Sequence, residues 1–584
     1  MRLINIKAFL MREQIMSKDG RVDRRSKILY FCDDEATPYA ILSHRWIDST
    51  EVDYEEMVDL AKMDGEERDE IRQRLGYRKI LDSCEQAQRD GYTWLWVDTC
   101  CIDKRSSAEL SEAINSMYRW YANSRVCYAY LHDVPDSSFP TSSDESRYPK
   151  SKGWPEWFSR GWTLQEMIAP SDVQFFNKDW QPIGDKKTFV DTLQNITRVP
   201  RHILNEGLSS NRPCVGQIMS WAADRTTTRV EDKAYSLMGL LDVNMPMLYG
   251  EGKKAFHRLQ LEIIRMSNDQ SIFAWGSTFG ENGRAGSILA DEPSFFHDCH
   301  DMELMDHDEF IQELQQDISE AEMHSIEKDR FGTFPITNRG IQIWLFLRPY
   351  EGSRSVFQAC LPCRYGPMGI PVAINLALWN SNYYRFTSLC APTERTLQFR
   401  QVYARYQDTP HHDVTLKIDD SAIIENGFTC CDMHPPELTG NTLTLIGIRS
   451  PCVRVYSHSQ TNCCFAVTFG QCFGQDWIHC ISEVPSSGLP WFTEFHKMLV
   501  SGPERVQSVA NVHSRGKHYG RIWVNHTHLP GSTWIVRTSR VVWERSRIGV
   551  RIEVFCYPDF RSVSHEWKIL DVGVGRPFII VHGM

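Results

Sequence analysis

The chain has 584 residues, more than one ordinary domain holds, and its 42% hydrophobic and 11% aromatic content is ample for packed cores and excludes wholesale disorder. Its 64 Lys and Arg face 75 Asp and Glu, a net charge of −11 without a long basic cluster, which argues against gripping a nucleic-acid backbone. No apolar run approaches the roughly 18 residues of a membrane span, and Met1 to Asn5 does not open a secretory signal.

The 18 cysteines are therefore expected as reduced thiols in a cytoplasmic chain. Cys360-Leu361-Pro362-Cys363 is a lone CxxC with no second pair at zinc-finger spacing. Cys100-Cys101, Cys430-Cys431 and Cys463-Cys464 lie in extended segments, where neighbours face opposite ways and clamp metal poorly. No metal centre is expected.

In chain order, residues 3–10 suggest an edge strand, and 13–37 a polar loop with a short strand near Ile28 to Phe31. Tyr39 to Ser43 is a compact apolar run, short enough for a buried strand, with Ser43, His44, Arg45 and Trp46 at its carboxyl end. Asp53 to Met63 reads as a helix, followed by an exposed acidic stretch to Glu70. Tyr77 to Asp90 is a second helix, stopped by Gly91.

Trp94 to Val97 is the next strand and delivers Asp98 and Asp103 to its carboxyl end. Ser106 and Glu109 form a capping-box pattern that opens a helix striped by Leu110, Ile114, Met117 and Tyr121. Val126 to Leu131 is a third strand, residues 133–153 a Ser/Pro/Asp-rich flexible loop, and Asp172 to Phe176 a fourth strand. Strands alternating with helices predict an α/β fold with a doubly wound parallel sheet over about residues 38–180.

Residues 185–270 read as a helical extension, with helices over Lys186 to Ile196, Gln217 to Ala223, Asp232 to Leu241 and Gly252 to Met266. Gly250-Glu251-Gly252-Lys253 lacks the leading glycine and the following Ser/Thr of a phosphate loop. Beyond 270 the pattern changes. Asp301 to Asp329 suggests a solvated helix, and many β-rich runs from Gly340 to Val572 predict a β-rich, sandwich-like C-terminal domain, 271–584.

The stretch that organises the chain is Ser159-Arg160-Gly161-Trp162-Thr163-Leu164-Gln165-Glu166-Met167-Ile168-Ala169-Pro170. On a helix, Trp162 and Glu166 stand at i and i+4, while Leu164 and Ile168 take the opposite face. A carboxylate and an indole would then point together while the apolar face packs inward. In a parallel sheet ligands bind beyond the strands' carboxyl ends, so Ser43 to Trp46, Asp98 to Asp103 and Glu166 gather at one edge.

This stretch, with Tyr39 to Trp46 and Trp96 to Asp103, resembles the fungal heterokaryon incompatibility (HET) domain over residues 1–270. HET domains in turn look like remote relatives of TIR domains, whose enzymatic members carry a WxxxE-type helix with a Glu needed to cleave NAD. Trp162 and Glu166 match that pattern. The resemblance implies a TIR-like core, a role in nonself recognition and cell death, self-association, and an incompatibility partner protein.

The chemistry implied is cleavage of the nicotinamide–ribose bond, with NAD as substrate and no cofactor. The transition state resembles an oxocarbenium ion. Nicotinamide departs neutral from a cation, so no acid is needed to protonate it, and Glu166 alone is the catalytic candidate. Arg45 and Arg160 are candidates for the diphosphate, with an ordinary salt bridge as the alternative. Trp46 and Trp162 are candidates for stacking on a ring, or for core packing.

Asp98 and Asp103 are candidates for ribose hydroxyls, for holding His44 or Arg45, or, for Asp103 above all, for capping the next helix. Ser43 completes the strand end, and His44 is either a base toward water or a structural donor. Cys101 reads as a buried structural thiol. The alternative function is a non-enzymatic assembly module in which Glu166 is structural.

Overall fold

The computed structural model describes residues 1–18, 27–47, 49–63, 65–208, 212–276, 285–324, 326, 330, 333–350, 355–379, 381–386, 396–407, 414–434, 442–445, 452–461, 463–472, 475–481, 524–529, 532–543, 547–556, 569–570 and 578–579. The chain forms two compact units. The first is Met1–Gly276 with Ala290–Leu304 and Cys363–Gly369; the second is Ser277–Leu289, Met305–Pro362 and Ile370–Met584.

The first unit is built on a seven-stranded sheet. Its strands are β1 (Arg2–Asn5), β2 (Leu29–Phe31), β3 (Ala40–His44), β4 (Trp94–Trp96), β5 (Val126–Tyr130), β6 (Val173–Phe176) and β7 (Pro182–Asp185), in the order β2-β1-β4-β3-β5-β6-β7. The centre, β4-β3-β5-β6, is parallel as expected. The flanks are antiparallel, so the sheet is mixed rather than wholly parallel. All five residues of β3 are buried, which suits an unbroken apolar run in a central strand.

Strand order fixes where the helices lie. The chain leaves β3 for β4 on one side, through α1's neighbour α4 (α1, Ile6–Met16; α2, Tyr54–Asp59; α3, Gly65–Gln73; α4, Leu75–Arg89). It then crosses back over β3 to β5 through α5 (Ser107–Asn123), and goes on to β6 through α6 (Thr163–Ile168). Right-handed crossovers in opposite directions place α4 and α5 on opposite faces of the sheet. The reversal falls between β3 and β5, at the carboxyl end of Ser43 and His44.

Several local expectations change. The run from Leu3 to Leu10 is not one edge strand: β1 stops at Asn5, whose side chain accepts from the Ala8 N–H and starts α1. The acidic stretch to Glu70 is helical, as α3, with only Ile71 buried. Residues 133–153 hold neither strand nor α-helix, only a 3₁₀ turn at Pro149–Ser151.

The extension is helical: α7 (Val190–Thr197), α8 (Arg201–Glu206), α9 (Val215–Trp221), α10 (Asp232–Tyr235), α11 (Met238–Leu241) and α12 (Lys254–Met266). Phe256, Leu259 and Ile263 form the buried face of α12. The helix expected over 232–241 is broken into α10 and α11. Gly239 of α11 lies so close to α5 that a Cβ there would sit 2.2 Å from the Tyr118 Cβ.

In the second unit, strands Ile341–Pro349, Gln398–Ala404, Asn382–Phe386, Pro371–Trp379 and Val356–Tyr365 follow one another in a sheet that the pairing of the first with the last closes on itself. Two further sheets, one holding Val414–Asp419, Trp534–Trp543 and Arg547–Cys556, the other Phe428–His434, Cys452–His458 and Cys464–Cys472, share one core. Ile418, Val536 and Ile552 of the first meet Phe428, Tyr456 and Phe465 of the second, a sandwich arrangement. The region Asp301–Asp329 is not one helix but a strand at Met302–Leu304 and short helices at His307–Leu314 and Glu320–Met323, with 325 and 327–329 outside the described residues.

Candidate functional site

Ser43, next to last in β3, and Glu166, in the middle of α6, meet beside the sheet reversal. The Ser43 hydroxyl donates to Glu166 Oε2 and accepts from Trp157 Nε1 at 2.8 Å. The Tyr121 hydroxyl of α5 lies close to Glu166 and donates to the Leu42 carbonyl at 3.2 Å. Glu166 is only 5% exposed. Burial drives its carboxyl up to about 8; Ser43 and Tyr121 pull it down, Asp98 adds to the rise, and the charge of Arg225 opposes it. At neutral pH this is mostly a neutral acid.

The helix explains the burial. All six residues of α6 are inside, Thr163 through Ile168, so it has no polar face to offer solvent. Trp162 stands at the amino end of the helix with helical backbone angles, its carbonyl accepts from the Glu166 N–H at 3.4 Å, and its indole lies near Asp232 of α10.

A second polar cluster surrounds the last residue of β3. His44 stands between Glu51 (Nε2 to Oε2, 3.4 Å) and Asp98 (Nδ1 to Oδ1, 3.9 Å), with its side chain 2% exposed. The Glu51 carboxylate is also gripped by buried Lys79. Burial alone would raise Glu51, but His44 and Lys79 outweigh it and hold it at about 2. Trp46 donates to Asp98 Oδ2 at 2.8 Å and carries Lys104 Nζ 3.7 Å above its ring. Trp46 is 45% exposed, so core packing does not account for it.

Arg45 pairs with Glu156 and lies 3.4 Å from His132 Nε2. Arg160 donates to Thr228 Oγ1 at 2.9 Å; burial, then the like charge of Arg45, lowers its pKa. Asp103 holds Arg105 at 2.9 Å rather than capping α5, a task taken by Ser106, whose Oγ accepts from the Glu109 N–H. The structure thus joins Ser43 to Glu166, gathers His44, Trp46 and Asp98, sets Arg45 near Arg160, and turns Trp162 and Asp103 to other partners.

Sequence reasoning missed Trp157, Tyr121, Glu51, Lys79 and Arg225. Tyr121 stood in the predicted stripe of α5, and the others carried no local pattern. Cys101 is buried, its Sγ accepting from the Val97 N–H at 3.5 Å. The N–H groups of Gly250 and Gly252 both point at Glu231 Oε1, at 2.8 and 3.0 Å. Among the described residues, no group of three or more His, Cys, Asp or Glu is placed to hold a metal ion, and no helix is long and apolar enough to cross a membrane.

Comparison with known families covers the first two of the three sequence blocks. Residues 39–153 match the model of the heterokaryon incompatibility protein (HET) family, so the chain carries a HET domain. That match includes Ser43 to Asp103 and ends before Trp157 and Glu166. Residues 254–286 match a domain of unknown function (DUF8212).

Among individual proteins, the vegetative incompatibility protein HET-E-1 of Podospora anserina is 45% identical over 231 residues, 39% of this chain. The aligned part is only 16% of that relative's length. No solved structure matches the chain.

Proposed function

We propose that this chain acts in nonself recognition as a heterokaryon incompatibility effector of the cytoplasm, and that its HET domain cleaves the nicotinamide–ribose bond of NAD once assembled. The observation that carries the reading is the hydrogen bond from Ser43 to Glu166, which fixes one carboxyl group beside the carboxyl ends of the parallel strands. The WxxxE spacing and the parallel order β4-β3-β5-β6 support the TIR-like likeness behind it.

Glu166 stabilises the positive charge that develops on the ribose as nicotinamide leaves with the bonding electrons; water then adds to the sugar carbon and releases one proton to solvent. Only the carboxylate form does this. Sealed at 5% exposure, Glu166 holds its proton. Opening the site to water lowers its pKa toward the ordinary range and arms it. Self-association, or the incompatibility partner, supplies that opening. Arg45 and Arg160 take the diphosphate.

The test is nicotinamide release by the full chain clustered on a scaffold, beside Glu166→Ala and Glu166→Gln. Release lost in both folded variants supports the enzyme. A folded, clustered parent that releases none supports the second reading, an assembly module in which Glu166 is structural. The burial of Glu166 favours that second reading.

A further inference from the structure

Two buried cations bracket α6, and both act on backbone carbonyls. Lys186 Nζ, beyond β7, donates to the carbonyls of Met167 (3.1 Å) and Pro170 at the carboxyl end. Arg225, just after α9, holds the other end. Its Nη1 donates to the Arg160 carbonyl at 2.8 Å and to Thr163 Oγ1 at 3.0 Å, while its Nε donates to the Trp221 carbonyl at 3.2 Å.

The backbone beside Arg225 joins in. The Thr226 N–H donates to the Ser159 carbonyl at 2.7 Å, and the Gly161 N–H donates to the Thr226 carbonyl at 3.0 Å, a short parallel bridge. A Cβ on Gly161 would lie 2.6 Å from Thr227 Cγ2, so the strap runs tight against the chain that enters α6.

Arg225 faces no carboxylate in a direct ion pair among the described contacts, and its Nη2 is buried without a hydrogen-bond partner. It is 8% exposed. Its acidic neighbours are Glu166 and then Asp224. Burial lowers Arg225 to about 9 and Glu166 opposes that fall, just as Arg225 opposes the rise of Glu166.

We infer that Arg225 is a positioning residue for Glu166: its strap sets the start of the helix that carries Glu166, and its charge bears on that carboxyl. This rests on the reading of Glu166 as the working carboxylate. The groups around that carboxyl are Ser43 of β3, Asp98 beyond β4, Tyr121 of α5, Cys127 of β5 (its thiol 3.8 Å from the Glu166 carbonyl), Trp157, Arg160 and Arg225.

The experiment uses the full-length chain as parent, Arg225→Gln, Arg225→Lys and Thr163→Val. The protonated-carboxyl infrared band of Glu166, assigned by its loss in Glu166→Gln, is followed against pH in unclustered protein. Loss of a nearby cation raises the midpoint, so Arg225→Gln moves it up by about one unit or more. Arg225→Lys restores most of the shift, and Thr163→Val, which removes one anchor of the guanidinium, moves it up by less.

In clustered protein, nicotinamide release falls about tenfold or more in Arg225→Gln and recovers in part in Arg225→Lys. A folded Arg225→Gln with an unmoved midpoint overturns the inference whatever its activity. If that variant does not fold, an unmoved midpoint in Thr163→Val overturns it. A parent that releases no nicotinamide overturns the enzymatic reading alone, since the titration reads Arg225 independently.

Discussion

Ser43, at the carboxyl end of a central strand, hydrogen bonds Glu166, which lies 123 residues further along the chain. The contact ties the sheet reversal to the helix that arrives after β5, and it brings Trp157 with it. Its consequence is a carboxyl group that is placed beside the carboxyl ends of the parallel strands but closed to solvent.

Ser43→Ala leaves the Trp157 N–H without its acceptor and Glu166 without its donor, both inside. The expected cost is about 1–3 kcal/mol, read as a lower denaturant midpoint with an unchanged slope. Unchanged stability would mean that the serine hydroxyl is not the link between them.

Glu166 makes stability depend on pH with a definite sign. Its folded pKa, about 8, lies above the ordinary 4.5, so between those values the unfolded chain gives up a proton that the folded chain keeps. Stability from this group is fully present below about pH 4.5 and is lost as pH rises through about 8. Urea titrations across that window should show the parent weakening with pH, while Glu166→Gln, which carries no titrating group, follows a flatter line. Parallel lines would show that Glu166 is ionised in the folded chain.

Glu51 has the opposite sign. Held at about 2 by His44 and Lys79 against its own burial, it contributes stability that is present above the ordinary carboxylate range and lost as pH falls toward 2. Glu51→Gln leaves Lys79, whose side chain is 4% exposed, without its counter-charge. A loss of about 3–5 kcal/mol at neutral pH is expected from thermal or denaturant unfolding.

Gly239→Ala tests the approach of α11 to α5. Alanine is better than glycine in a helix by about 1 kcal/mol. The new Cβ, however, would meet Tyr118 Cβ at 2.2 Å and Cγ at 2.9 Å, and overpacking of this kind costs about 1–3 kcal/mol. The clash should prevail, lowering the melting temperature; a rise would show that the two helices part without cost.

Arg160→Ala separates substrate binding from folding. Among the described residues its side chain has one hydrogen bond, to Thr228, so the stability change should stay within about 1 kcal/mol. If the clustered chain cleaves NAD, KM should rise about tenfold or more while kcat changes little. A change in kcat alone would place Arg160 away from the diphosphate.

The four parallel strands of the first unit were readable because their signal is local. Compact runs such as Ala-Ile-Leu in β3 and Val-Cys-Tyr-Ala-Tyr in β5 have the length and the β-branched or aromatic content of buried strands. Helices with an apolar stripe, α4, α5 and α12, declared themselves by period, whereas α3, Gly-Glu-Glu-Arg-Asp-Glu-Ile-Arg-Gln, buries one residue and shows no stripe to read.

The residues at the site were nameable for the same reason: Ser43 and His44 end a strand, Asp98 follows one, and Glu166 sits in a short marked stretch. What they touch was decided in three dimensions. The spacing of Trp162 and Glu166 says they share a helical face, but only the fold puts Trp162 near Asp232 and Glu166 under Ser43. Glu51, Lys79 and Arg225 reach the site only because distant segments fold onto it, and no local period encodes such a meeting. The state of the Glu166 proton follows from that same packing, since desolvation belongs to the surroundings of a group and not to its place in the chain.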